Sequence, residues 1–131
     1  LRDRARLAPG VRVLADVRVK HAAPLAPRPT TEEARDLVER AGADAVIVTG
    51  PRTGAAVSPG DLEQVRAAVP RAMLLVGSGA TAASVRALLA LADGVIVGTA
   101  VERGGRTGAP VDPRRARAFV RAARASTRRG T

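Results

Sequence analysis

The hexapeptide Ala43-Asp44-Ala45-Val46-Ile47-Val48 returns further along the chain as Ala92-Asp93-Gly94-Val95-Ile96-Val97. Each copy is a carboxylate followed by an apolar run that is short for a helix and apolar on both faces, the pattern of a strand in the middle of a parallel sheet. Two more strands interleave with these. Val11 to Lys20 alternates strictly, so Val13, Ala15, Val17 and Val19 share one face and Leu14, Asp16, Arg18 and Lys20 the other. Met73-Leu74-Leu75-Val76-Gly77 is the third, between the two copies of the echo. A helical period follows every strand, and four strand–helix units in succession predict a parallel sheet with right-handed crossovers. The echo joins alternate units, as in a barrel built from repeated βα pairs, and four units are half of a (β/α)8 TIM barrel. An open doubly wound sheet is the competing α/β arrangement.

Punctuation residues place the helices. Thr30 and Glu33 have capping-box spacing, and Ala34, Leu37, Val38 and Ala41 form an apolar stripe that Gly42 ends. Ser58 and Pro59 open a helix carrying Leu62, Val65, Ala68 and Val69. A third runs from Thr81 to Ala92. The last begins after Asp112 as cap and Pro113, turning Ala116, Phe119, Val120 and Ala123 inward. The segment 1–10 reads as the end of a preceding helix, 11–125 as the half barrel, and 126–131 as a frayed basic tail, so the chain reads as a fragment. A half barrel exposes two sheet edges, which predicts a homo-oligomer or completion by a missing amino-terminal half.

Composition excludes several functions. The net charge of +10 is concentrated at the end: residues 114–131 hold seven Arg and no acid, against 15 basic and 12 acidic residues before them. With 21 Arg against the single Lys20, codon usage in a GC-rich genome is a sufficient source for the excess. Phe119 is the only aromatic residue, so the stacking platforms of single-strand binders are missing and no specific nucleic-acid partner is expected. No cysteine occurs, which fits a reducing cytoplasm and removes thiolate metal sites. The apolar runs, such as Ala72–Val76, are far below the roughly 18–20 residues a transmembrane helix needs.

Chemistry is expected at the strand ends. The third strand stops on Gly77-Ser78-Gly79 and the fourth on Gly98-Thr99, and glycine followed by a hydroxyl residue lets bare backbone N–H groups approach an anion. Ser78 and Thr99 supply hydroxyl donors, Arg52 a candidate counter-charge, and a phosphorylated small molecule is the ligand class this implies. Glycines that only end strands are the bland alternative. Asp16 and Lys20 share the presumed interior face about 13 Å apart along the strand. With His21 they form the candidate catalytic centre, in which Lys20 can neutralise an anion or act as base or imine-forming amine. Asp16, set deeper, needs a partner such as Arg18 or a residue of the missing half. A polar barrel core accounts for the same residues without catalysis. No metal set is complete, and no cofactor is specified.

Lys20-His21-Ala22-Ala23-Pro24-Leu25 after an Asp16-bearing strand, Thr49-Gly50-Pro51-Arg52-Thr53-Gly54, Val76-Gly77-Ser78-Gly79, Val97-Gly98-Thr99 and Pro110-Val111-Asp112-Pro113 together resemble the BtpA/SgcQ family. The resemblance runs from about Val11 to Ala123. It implies the carboxy-terminal half of a TIM barrel, strands five to eight, with the two glycine-rich ends on strands seven and eight. The family's cyanobacterial branch is linked to photosystem I biogenesis as an extrinsic thylakoid protein, and other members sit beside sugar-uptake genes, with no reaction firmly assigned. Two functions therefore compete: a lyase or isomerase acting on a sugar phosphate or related metabolite, and a non-enzymatic assembly or stability factor. One departure stands out, since the loop Gly104-Gly105-Arg106-Thr107-Gly108-Ala109 lacks the aromatic residue and asparagine expected before Pro110.

Overall fold

The computed structural model describes residues 8–18, 28–50 and 55–127. Four strands, β1 (Leu14–Asp16), β2 (Ala45–Val48), β3 (Met73–Val76) and β4 (Gly94–Val95), pair in parallel in the order in which they occur. The helices α1 (Thr30–Arg35), α2 (Pro59–Ala68), α3 (Val85–Leu88) and α4 (Pro113–Thr127) alternate with them. This is an α/β fold consistent with part of a TIM barrel. A doubly wound sheet reverses its strand order at a switch point, and this sheet has no reversal.

Register fixes which residues share a face. Ala15, Val46 and Leu74 are level with one another, as are Asp16, Ile47, Leu75 and Gly94. The first row turns toward the helices: Val46, Leu74 and Val76 lose all contact with solvent against Leu62, Val65 and Val85 of the helix layer. Phe119 closes this core from α4. The opposite face carries no layer among the described residues, and Leu14, Met73 and Ile96 stand about half exposed on it. The alternation of the first strand therefore has the expected sense, with Val17 buried and Asp16 exposed.

Local structure departs from the sequence reading at several ends. The Thr30–Glu33 capping box does not form: Pro29 is the cap, its carbonyl accepting from the N–H groups of Glu32 and Glu33, and Thr30 is the first residue inside the helix. After Arg35 the chain widens into a π turn over Asp36–Arg40, with Ala41 N–H donating to the Asp36 carbonyl, and it stops at Gly42 with φ +70°. The expected helix over Thr81–Ala92 is regular only at Val85–Leu88, with hydrogen-bonded turns on either side. Thr81 and Ser84 explain the start, since each hydroxyl accepts the other residue's backbone N–H. Asp112 caps α4 as expected, accepting from Arg114 N–H at 2.8 Å. That helix reaches Thr127, past the start of the tail expected to fray.

Candidate functional site

The carboxy-terminal ends of β2, β3 and β4 converge on one rim of the sheet. Beyond β2, Gly50 N–H donates to Ser78 Oγ at 3.3 Å, and that hydroxyl donates to the carbonyl of Ala55 at 3.5 Å. Ser78 thus ties the end of β2 to the chain that leads into α2. Gly79 has φ +73°, and a Cβ there would lie 2.6 Å from Ala56 Cα. At Gly77 a Cβ would meet Ile47 Cγ2 at 2.6 Å. Both glycines are required by close packing, so this part of the motif has a structural reason of its own.

Gly98 differs. A Cβ at Gly98 meets nothing within 4 Å, so close packing does not demand the glycine. The chain then enters a tight 3₁₀ turn over Thr99–Val101, closed by Val101 N–H on the Gly98 carbonyl. Thr99 Oγ1 lies 3.1 Å from Thr107 Oγ1, which belongs to the glycine-rich loop. That loop is pinned at its base by Arg103 N–H on the Pro110 carbonyl and Asp112 N–H on the Val101 carbonyl. It folds back so that Thr107 stands beside the end of β4.

Three residues that the sequence reading did not single out belong to this rim. Thr107 adds a second hydroxyl at Thr99. Arg115, on α4, donates from Nε to the Ala100 carbonyl at 3.0 Å and so brings a guanidinium to the turn after Gly98. Glu102 carries an oxygen, Oε2, that is out of contact with solvent and has no hydrogen-bond partner among the described residues. The glycines around Arg106 marked the loop, but nothing local to Thr107, Arg115 or Glu102 in the chain reveals a contact made across a turn.

Asp16 occupies the face opposite the helices, level with Ile47 and Leu75. Arg18, one of its two candidate partners, instead donates to the Arg28 carbonyl at 3.2 Å. Lys20, His21 and Arg52 lie outside the described residues. No group of three or more metal-ligating side chains occurs among the described residues. The helix that follows Gly77-Ser78-Gly79 is a four-residue turn beginning at Val85, so a helix N-terminus adds little to an anion site there.

Consecutive βα units in one parallel sheet, with glycine and hydroxyl residues at adjacent strand ends, define the class as an α/β protein whose fold is consistent with part of a TIM barrel. The chain belongs to the BtpA family, whose family model matches residues 1–125. It is 38% identical over 122 residues to the photosystem I biogenesis protein BtpA of Synechocystis, covering 93% of this chain and 42% of that protein. It is 47% identical over 105 residues to an uncharacterized protein of Pyrococcus abyssi, covering 79% of this chain and 39% of the relative. An uncharacterized Archaeoglobus fulgidus protein is 41% identical over 112 residues, covering 86% and 42%. The chain thus spans about two fifths of the length of the curated relatives it matches. Among the described residues, no helix is long and apolar enough to cross a membrane.

Proposed function

We propose that the chain binds a phosphorylated small molecule at the ends of β3 and β4, which the half-barrel reading makes strands seven and eight. The observation that carries this is Gly98: no side chain or backbone packs where its Cβ would stand, yet the position is glycine and borders the Thr99 and Thr107 hydroxyls and the Arg115 guanidinium. Backbone N–H groups beside a glycine, two hydroxyls and a guanidinium are the donors a phosphate dianion accepts from. In the same reading a lyase or isomerase step on the bound ester belongs to Asp16 with Lys20 and His21, and Lys20→Ala abolishes turnover while leaving the fold intact.

Thermal unfolding of the full chain tests the binding. Inorganic phosphate, sugar phosphates, nucleotides and flavin mononucleotide are compared with and without Gly98→Asp. A ligand at about 100 times its Kd adds roughly 2.7 kcal/mol, which moves the midpoint by a few degrees. The substitution places a carboxylate where the phosphate sits, no atom lies within 4 Å of the new Cβ, and a melt without ligand checks that the variant folds. A shift that the variant loses supports the reading, and no shift across the panel removes it. The assembly-factor reading is favoured by a different observation, the Synechocystis relative named for photosystem I biogenesis. That reading predicts association with a protein partner that Lys20→Ala leaves unchanged.

A further inference from the structure

The hairpin that follows the Gly98 turn has a fixed base and a tip punctuated by glycine. Its base is a short ladder, in which Arg103 N–H donates to the Pro110 carbonyl at 2.9 Å and Asp112 N–H to the Val101 carbonyl at 2.8 Å. Asp112 also caps α4, so the base is tied to the start of that helix. Between the two legs runs Gly104-Gly105-Arg106-Thr107-Gly108-Ala109. Gly104, Gly105 and Gly108 have φ of +64°, +65° and +82°. Glycine passes between the two hands of φ without a Cβ penalty, so the backbone turns at least cost at these three positions. They bracket Arg106 and Thr107, the two side chains of the tip that carry hydrogen-bond donors.

The groups that stand against the tip are polar. A Cβ added at Gly108 would meet no atom within 4 Å, one at Gly104 would meet only the Arg106 side chain of the tip itself, and one at Gly105 only Arg115 Nη2, at 3.3 Å. Thr107 Oγ1 lies 3.1 Å from Thr99 Oγ1. Thr99 and Arg115, which meet the tip from the body of the fold, are also the side chains that the phosphate reading places around the ligand.

That coincidence couples the tip to the site. A phosphate oxygen that accepts from both threonine hydroxyls joins the tip to the end of β4 by charge-assisted bonds, which are stronger than the neutral hydroxyl pair they replace. It also draws in Arg106, which precedes Thr107 and lies back across Gly104. These contacts with the tip exist only while the tip is down, and such a difference in affinity between two states is what lets a ligand shift a loop. We infer that Gly104–Ala109 is a lid over the site at Gly98: it hinges at Gly104–Gly105 and at Gly108, Thr107 latches it to the bound phosphate, and Arg106 is the charge it delivers. This rests on the phosphate-binding reading and adds to it how the site closes.

Hydrogen exchange of the full chain, read by mass spectrometry, tests the lid, with inorganic phosphate as the probe and sodium chloride of equal ionic strength as the reference. Phosphate slows exchange of the Gly104–Ala109 amides about tenfold or more, and Thr107→Val and Arg106→Gln each cut that protection at least about threefold. The melting midpoint is read on the same samples. A midpoint that phosphate raises with no slowing at the tip overturns the lid and leaves the binding reading standing. Neither a shift nor slowing overturns the lid as well, and leaves binding to be decided by the phosphate esters of the wider panel. Full protection in both variants also overturns it, since closure then needs neither side chain. Each variant is first melted without phosphate, and if one does not fold the wild-type comparison decides alone.

Discussion

Asp93 and Leu74 hold each other by two reciprocal hydrogen bonds: Leu74 N–H donates to the Asp93 carboxylate at 2.8 Å, and Asp93 N–H donates to the Leu74 carbonyl at 2.8 Å. Asp44 repeats the arrangement with Val13, whose N–H reaches the carboxylate at 2.8 Å and whose carbonyl accepts Asp44 N–H at 2.9 Å. Each carboxylate also takes an arginine, Arg66 on Asp93 and Arg12 on Asp44. The echoed Ala-Asp dipeptide is thus a clamp that locks each even strand to the odd strand before it. Asp93→Ala leaves the N–H of the fully buried Leu74 without its acceptor, which costs about 1–3 kcal/mol. The half-exposed Arg66 pair adds little to that. Urea unfolding of the variant beside wild type reads the loss.

The same carboxylate gives the fold an acid limit. Burial pushes the Asp93 carboxyl up, but the Leu74 N–H and the Arg66 guanidinium together outweigh it and hold the group below its ordinary value. A carboxyl lowered in the folded state contributes stability that is complete above its unfolded value, about pH 4, and is lost as pH falls through the folded one. Asp36, held down chiefly by the Arg28 hydrogen bond, has the same sign and is partly exposed. The urea midpoint of wild type therefore falls below about pH 4, and the fall is shallower in Asp93→Ala. Equal slopes in the two proteins refute the assignment.

Glycines of one motif class separate under substitution. Gly79→Ala introduces a Cβ at φ +73° and 2.6 Å from Ala56 Cα, which costs more than about 1 kcal/mol and displaces the chain entering α2. Gly98→Ala meets open space and costs less than Gly79→Ala. Thermal melts without ligand rank the two.

How much of this the sequence reveals depends on the range of each interaction. The period-two alternation of Val11–Lys20 and the apolar echo report burial directly, so the strands, their faces and their order were legible. Caps are decided by competition between neighbours. Pro29, already restricted in φ, takes the position that Thr30 was expected to fill, and Thr81 with Ser84 replaces part of a regular helix by a hydroxyl-bonded turn. The role of the strand-end glycines was only half legible. The sequence marks Gly77, Gly79 and Gly98 alike, whereas the returning chain at Ala55–Ala56 and the side chain of Ile47 account for the first two and nothing packs on the third. Thr107 and Arg115 come to the rim only through loop closure, which no local pattern encodes.

The two strand-end hydroxyls are not equivalent, and this separates scaffold from ligand contact. Ser78 Oγ accepts from Gly50 N–H, and Gly50 is buried, so Ser78→Ala strands a donor and costs about 1–2 kcal/mol before any ligand is added. Thr99 Oγ1 contacts only Thr107 Oγ1 among the described polar groups, and both threonines keep access to solvent. Thr99→Val therefore leaves the unliganded melting midpoint within about 0.5 kcal/mol of wild type. If the rim at Gly98 holds a phosphate, the ligand-induced shift is reduced in Thr99→Val, because a hydroxyl donor is lost without any change in the apo fold. Ser78→Ala lowers the midpoint with and without ligand and keeps most of the difference between them. The reverse pattern, a shift abolished in Ser78→Ala and intact in Thr99→Val, would move the ligand from the end of β4 to the end of β3.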